Sequence, residues 1–334
     1  MKKLLVFGLL MMGLGGVAQD IHFSQFAVAP MVYNPAMAGM FDGDYRFIGN
    51  QRTQWRSVTV PFTTVGGSAD WRNTGGIDGL GTGLSIYQDR AGDSRLNTLA
   101  VKLAGAYSFA LPNDSLHRIS FGAQFGFVQR NIDYSDLRYD NQWNGVSYNP
   151  SIDPGEMYTR DARGYAHLAL GVGWQHHINR RNSYEGGIAL HNVNAPKQSF
   201  FDDPSIRLDL RFTLSAWGTR ELNAEWDATG GLLLSRQGTY TEFIPVVGAR
   251  YVLLDERGLF RTVFAHMAYR TRDAGFFTLG MDYDDWRVGL SYDINTSNLR
   301  PASNGRGGLE LSVVYILSRF VPPVDRRVLC PDYL

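Results

Sequence analysis

The chain has 334 residues, with 32 Lys+Arg against 32 Asp+Glu, and its formal net charge of +0 gives no basic field that would draw nucleic acid. Its 37 glycines, 17 tyrosines and 19 phenylalanines come with a mean hydropathy of only -0.21. That average excludes a bundle of transmembrane helices but suits a barrel, which hides its lipid face at every second residue. With no Pro- or Ser-rich linker between the strand-like stretches, one large all-β domain is favoured over two.

Lys2 and Lys3, the apolar run Leu4 to Leu14 and the small residues Gly16-Val17-Ala18 read as a signal peptide over residues 1–18 that leaves Gln19 as the first mature residue. A membrane anchor is the competing reading, but the run falls short of the roughly 20 residues needed to span. No Cys lies near the cleavage site, which argues against a lipoprotein. Asp20 to Gly39 has neither helical nor strand periodicity, and Pro30 and Asn34-Pro35 mark it as an extended, turning segment. Its Phe23, Phe26, Met31 and Tyr33 must pack against something. Residues 19–44 therefore form an arm that plugs or braces the main body, or else a partner-binding peptide.

Strands follow at short spacing over residues 45–318. Tyr45 to Trp55 and Phe62 to Trp71 look like a hairpin, followed by Gly79 to Gln88 and Arg95 to Phe109. The clearest stretch is Ile119 to Val128, where Ile119, Phe121, Ala123, Phe125 and Phe127 alternate with Ser120, Gly122, Gln124, Gly126 and Val128. Successive side chains of a strand point to opposite faces, so one face is apolar and the other small or polar. Gly164 to Ile178, Ser183 to Val193 and Ile206 to Trp217 continue the series. In the last, Arg207, Asp209 and Arg211 share a face opposite Leu208, Leu210, Phe212 and Leu214, which suits a polar lumen and would be costly in a soluble sandwich core. Further strands are Trp226 to Ser235, Tyr240 to Leu253, Leu259 to Arg270, Phe276 to Tyr283, Trp286 to Asp293 and Leu309 to Leu317. Pro245 and Gly230-Gly231 suggest bulges or an edge. The sum is a transmembrane antiparallel β-barrel of about fourteen strands.

Tyr45, Trp55, Trp71, Tyr107, Trp174, Tyr269, Tyr283 and Trp286 fall near strand ends, as the aromatic girdles of a lipid–water boundary would. Between two strands, Asn131 to Arg163 is a long aromatic segment, read as an extracellular loop. Its Tyr134, Tyr139, Trp143, Tyr148 and Tyr158 are the candidate partner-binding residues.

Motifs for chemistry are thin. His176 and His177 are adjacent, so on a strand they face opposite ways and cannot grip one metal. Asp282, Asp284 and Asp285 in DYDDW read as a tight turn rather than a calcium loop. His167 and His266 read as lumen or packing residues, and the single Cys330 has no internal partner. No catalytic, metal or cofactor motif stands out, so an enzyme is not expected.

DIHFSQF at the mature N-terminus, NPAMAG at Asn34 to Gly39, RFIGNQRTQW at Arg46 to Trp55 and PFTT at Pro61 to Thr64 together resemble the PorP/SprF family of type IX secretion system membrane proteins of Bacteroidetes. The resemblance is strongest over Gln19 to Trp71. Cys330-Pro331 also matches the family's ending, but Asp332-Tyr333-Leu334 stands where a basic and aromatic end would be expected. The resemblance implies a bacterial outer-membrane protein that supports secretion or surface attachment of specific cargo proteins or gliding adhesins, through their C-terminal secretion domain. Implied partners are that cargo, other type IX components and outer-membrane lipid, with no cofactor. With an even strand count both termini are expected in the periplasm, and the tail of residues 319–334 should then meet periplasmic machinery. The alternative is a channel for hydrophobic small molecules, similar to fatty-acid transporters.

Overall fold

The computed structural model describes residues 21–54, 60–92, 95–112, 114–134, 137–153, 155, 160–256, 258–297 and 305–318. The signal peptide, Trp55, Tyr158 and the tail of residues 319–334 named above lie outside them. Fourteen strands form one sheet: β1 (Tyr45–Gln54), β2 (Phe62–Trp71), β3 (Leu80–Ala91), β4 (Leu96–Leu111), β5 (Asp114–Asn131), β6 (Ala162–Asn179), β7 (Asn182–His191), β8 (Arg211–Glu221), β9 (Trp226–Gln237), β10 (Tyr240–Glu256), β11 (Leu259–Arg270), β12 (Ala274–Tyr283), β13 (Trp286–Asn295) and β14 (Arg306–Leu317). Each pairs antiparallel with its sequence neighbours, and β1 closes on β14 in a continuous register from Tyr45↔Leu317 to Thr53↔Leu309. Closure leaves no unpaired edge, which is what a sheet in lipid requires.

The alternation read from the sequence decides which face each residue takes. On β4 and β5, Leu99, Leu103, Tyr107, Phe109, Phe121, Phe125 and Phe127 point outward and stay exposed, while Ala100, Ala104, Ala106, Ser120 and Gln124 point inward and are buried. Leu99 to Phe109 spans about 34 Å along the strand. At a tilt of roughly 40° this becomes about 26 Å, the height of an outer-membrane barrel's apolar band. So much contiguous exposed apolar surface would aggregate in water, whereas in lipid it is the expected solvent contact.

Two ends can be distinguished. The terminal end, where β1 begins and β14 finishes, carries the shorter connections, among them 180–181, 257–258 and 284–285. The opposite, loop end carries 132–161 and 192–210. Aromatic rings gather at the terminal end: Tyr45 stacks on Trp71 (5.5 Å), Trp226 meets Tyr251 (4.9 Å) and Trp286 meets Tyr315 (4.5 Å). Of the girdle residues named from the sequence, Tyr269 is the one described at the loop end. DYDDW is indeed a turn, with Asp284-Asp285 joining β12 to β13 and Asp284 in the left-handed region at φ 55°.

Three sequence expectations are corrected. Strand β8 starts at Arg211 rather than Ile206, and before it the burial phase is reversed: Leu208 is buried while Arg207 and Asp209 are exposed. Only Arg211 of that charged trio is buried, donating to Val32 O (3.0 Å). Pro245 and Gly230-Gly231 mark neither a bulge nor an edge, because β9 and β10 pair without a break from Tyr240↔Gln237 to Tyr251↔Trp226. A register shift instead falls between Val252 and Leu254. Finally, the segment before β1 is not simply extended. It makes three short helical turns, Phe26–Val28, Pro30–Tyr33 and Pro35–Met37, each too short to show a 3.6-residue period.

Candidate functional site

Residues 21–44 lie against the inward-facing side chains. Pro30 and Pro35 open their turns, where a missing N–H costs nothing, and the Asn34 side chain caps the second by accepting from Ala36 N (2.9 Å). Asn34 also donates to Val172 O on β6 (2.9 Å). The backbone can come this close because the wall there is glycine. A Cβ on Gly122 would sit 2.5 Å from Ala36 Cα, and one on Gly171 would overlap Asn34 Oδ1. Carbonyl Tyr33 O accepts from Thr213 Oγ1 (2.6 Å) and contacts His191 Nε2 (2.9 Å), while Gly39 N donates to Asp70 Oδ2 (2.8 Å). Phe23, Phe26 and Val32 form an apolar cluster with Tyr87, Leu233, Ile244, Val246 and Phe276 of the wall. Around Leu233, Ile244 and Val246 of β9 and β10, therefore, both faces are apolar, one toward lipid and one toward this segment.

Its first residues are held by charge. Glu310 accepts from Ser24 N (2.7 Å) and Gln25 N (2.9 Å), and Asp293 accepts from Ser24 Oγ (2.9 Å). Arg52 reaches His22 O (2.7 Å) and Asp293 (2.9 Å), and Arg270 pairs with Glu242 (3.1 Å) and Asp293 (3.2 Å). Both arginines are fully buried. Opposite charges this deep are tolerated because nearly every polar group is answered by another.

At the loop end, the connection from β5 to β6 carries the aromatic candidates. Tyr139, Trp143 and Tyr148 come together on one turn: Tyr139 N donates to Gln142 Oε1 (3.2 Å), Trp143 and Tyr148 face each other in an isolated antiparallel bridge, and the Arg138 guanidinium lies over the Tyr148 ring (5.1 Å). The tip is held by Asn144, which accepts from Val146 N and Ser147 N. It presents Trp143 (58% exposed) and Val146 (85% exposed). Tyr134 stays at the base, donating to Arg160 O (3.0 Å). Partial burial, with Tyr139 and Asp161 adding, pushes its phenol above the usual range, so it remains a donor. The loop and the strand ends that carry it are braced against the 192–210 connection, through Arg160–Asp202 (2.8 Å) from the loop and through Arg130–Gln198 (2.7 Å) and Arg163–Asp202 (3.2 Å) from the ends of β5 and β6. Sequence reading missed that bracing, whose partners lie about 40 residues or more apart and carry no local signal.

The histidines have packing roles. His167 contacts Asn192 Oδ1 (2.8 Å) and stacks on His191, His266 lies on Thr229 Oγ1 (3.0 Å), and His176 stacks on His117 (4.0 Å). Among the described residues no group of three His, Cys, Asp or Glu could hold a metal. The lumen is divided by residues 21–44. Toward the loop end lies a cavity of about 60 Å³ beside Lys102 and His167, and toward the terminal end a vestibule of about 340 Å³ beside Phe41, Glu185 and Trp217.

A family model described as type IX secretion system membrane protein PorP/SprF matches residues 16–315. Among solved structures, the chain is similar to the toluene transporter TodX of Pseudomonas putida, at 12% identity over 90% of this chain and 95% of that one, with a TM-score of 0.48. It is also similar to the monoaromatic hydrocarbon channel CymD, at 12% identity over 91% and 95%, with a TM-score of 0.47. For a FadL homologue of Pseudomonas aeruginosa the values are 10%, 84%, 92% and 0.34. The substrates in these names are those proteins' own. No curated protein matches the chain.

Proposed function

Since this chain belongs to the PorP/SprF family of type IX secretion system membrane proteins, we propose that it supports secretion or cell-surface attachment of specific cargo proteins by binding their C-terminal secretion domain at its loop end. The observation that carries this reading is the braced turn bearing exposed Trp143 and Val146 at the end of a lumen that residues 21–44 divide. A rigid platform with an apolar anchor residue is how a protein surface holds a partner with little ordering cost. The role calls for no turnover, and we read the protein as a binding component rather than an enzyme. Short connections are the periplasmic mark of outer-membrane barrels and long ones the extracellular mark. We therefore orient the terminal end to the periplasm and Tyr134, Tyr139, Trp143 and Tyr148 to the outside.

The test is complementation of a deletion strain with Trp143→Ala/Val146→Ser/Tyr148→Ala. The barrel should assemble normally while release or display of proteins with this class of C-terminal domain falls at least tenfold. Unchanged secretion, together with uptake of a small apolar solute by liposomes carrying the protein, would replace this reading with the hydrophobic-channel alternative.

A further inference from the structure

The cavity of about 60 Å³ toward the loop end is lined by charged as well as apolar side chains. Strand register places its wall. Asp89, Thr98 and Arg130 sit side by side on β3, β4 and β5, and deeper in the barrel Ser85, Lys102, Gly126 and His167 do the same on β3 to β6. All of these but Gly126 line the cavity. The glycine makes room: a Cβ there would lie 2.7 Å from Lys102 Cγ, so its absence lets the lysine stem lie against β5. Ile21 and Val32 of the luminal segment, Leu208 of the 192–210 connection and Arg211 of β8 also line it. Asp89, Lys102 and Arg130 are half-buried, so solvent reaches the cavity.

The lining holds three cations, Lys102, Arg130 and Arg211, against the single carboxylate of Asp89, an excess of two positive charges. That carboxylate also accepts from Thr64 Oγ1 (2.6 Å). Elsewhere in the lumen buried arginines meet carboxylates: Arg46 meets Asp70 (2.8 Å), Arg250 meets Asp227 (2.8 Å) and Arg270 meets Glu242 (3.1 Å). Here Arg211 donates to Val32 O (3.0 Å) and Arg130 to Gln198 Oε1 (2.7 Å), both neutral acceptors. Gathering like charges inside a low-dielectric lumen is costly unless an anion answers them. We propose that the cavity binds a compact oxyanion, a carboxylate or phosphate group, held between Lys102, Arg130 and Arg211. The volume has room for about four water-sized groups, enough for such an anion and too little for one carrying a ring. A guanidinium fork matches the paired oxygens of either group, and the lysine adds a point charge. The site stands on the lumen's own charge, whether or not the loop end holds a secreted partner.

The probe is inorganic phosphate, titrated calorimetrically onto the full chain in detergent at constant ionic strength. Saturable binding should weaken at least tenfold in Lys102→Met/Arg130→Gln and stay unchanged in Arg180→Gln, whose cation lies at the terminal end. Asp89→Asn removes the one competing carboxylate and should tighten phosphate at least threefold, a gain that a folding defect cannot mimic. Acetate should displace phosphate and benzoate should not. Displacement by acetyl-trialanine with a free terminal carboxylate, but not by its amide, would assign the oxyanion to a polypeptide end; displacement by free acetate alone would assign it to a small ion. Absence of saturable phosphate binding would overturn the proposal, as would equal affinity in the wild-type and Lys102→Met/Arg130→Gln chains.

Discussion

Replacing Arg52 with methionine keeps most of the side chain's length and removes the cation that ties residues 22–25 to the wall. Three contacts disappear: His22 O (2.7 Å), Asp293 (2.9 Å) and the ion pair to Glu310 (3.7 Å). A hydrogen bond involving a charged group contributes about 1.5–3 kcal/mol, and breaking a buried pair by deleting one partner costs about 3–5 kcal/mol. Asp293 keeps Arg270 (3.2 Å) and Ser24 Oγ (2.9 Å), which places the loss at the lower end, about 3 kcal/mol. That is roughly a hundredfold in the population of a locally opened state. Hydrogen exchange reads it directly, because the Ser24 and Gln25 amides donate to Glu310. Both should exchange about a hundredfold faster, while the Gly39 amide, held by Asp70 at the far end of the segment, keeps its protection. Unchanged exchange at Ser24 and Gln25 would refute the latch, and equal loss of protection across the barrel would refute its being local.

Other substitutions probe the remaining contacts. Asp227→Ala removes the carboxylate shared by two buried guanidiniums, Arg181 and Arg250, both 2.8 Å from it, leaving Arg181 with Glu221 (3.1 Å) and Arg250 with only a longer ion pair to Asp282 (3.8 Å). It should cost about 3–5 kcal/mol, seen as a lowered unfolding midpoint in detergent, with Asp227→Asn less affected. Gly171→Val places atoms where Asn34 Oδ1 now sits and should displace the Asn34 turn at about 1–3 kcal/mol, read as faster exchange of the Ala36 amide with the strand amides protected. On the outer wall, Leu279→Arg puts a charge at a position 65% exposed in the middle of β12. It should destabilise the bilayer-inserted barrel by about 2–4 kcal/mol, whereas a water-facing site would change by less than about 0.5 kcal/mol.

The strand framework was legible because one physical rule runs along the whole outer wall. Phe62–Trp71 and Leu259–Arg270 were bounded by sequence where the structure bounds them, since alternation begins and stops at polar turns. The start of β8 was misread because Leu208 and Leu210 prolong the alternation into the preceding connection. There an isolated bridge, Lys197↔Arg207, and positive φ at Ala195 and Asp202 replace ladder pairing. Strands β9 and β10 looked interrupted because of Gly230-Gly231 and Pro245, but they pair without a break, and their Leu233, Ile244 and Val246 serve an inner apolar cluster that alternation does not foresee. The buried charges were invisible for another reason. Arg52 and Asp293 are separated by 241 positions, and only closure of the barrel brings β1 beside β14 and its neighbour. The aromatic loop was legible as composition, but its turn geometry and its bracing through Asp202 depend on a second loop, whose approach no local pattern encodes.

On the proposed function, the loop end holds a secreted partner. The direct measurement is photo-crosslinking in living cells from a benzoylphenylalanine placed at position 143, followed by mass spectrometry of the product and its site. Crosslinks to the C-terminal secretion domain of a secreted protein, absent when the photoreactive group is placed at the lipid-facing position 279, are the predicted result. Crosslinks from position 143 to lipid alone, with secretion intact, would show that the loop end does not hold the secreted partner.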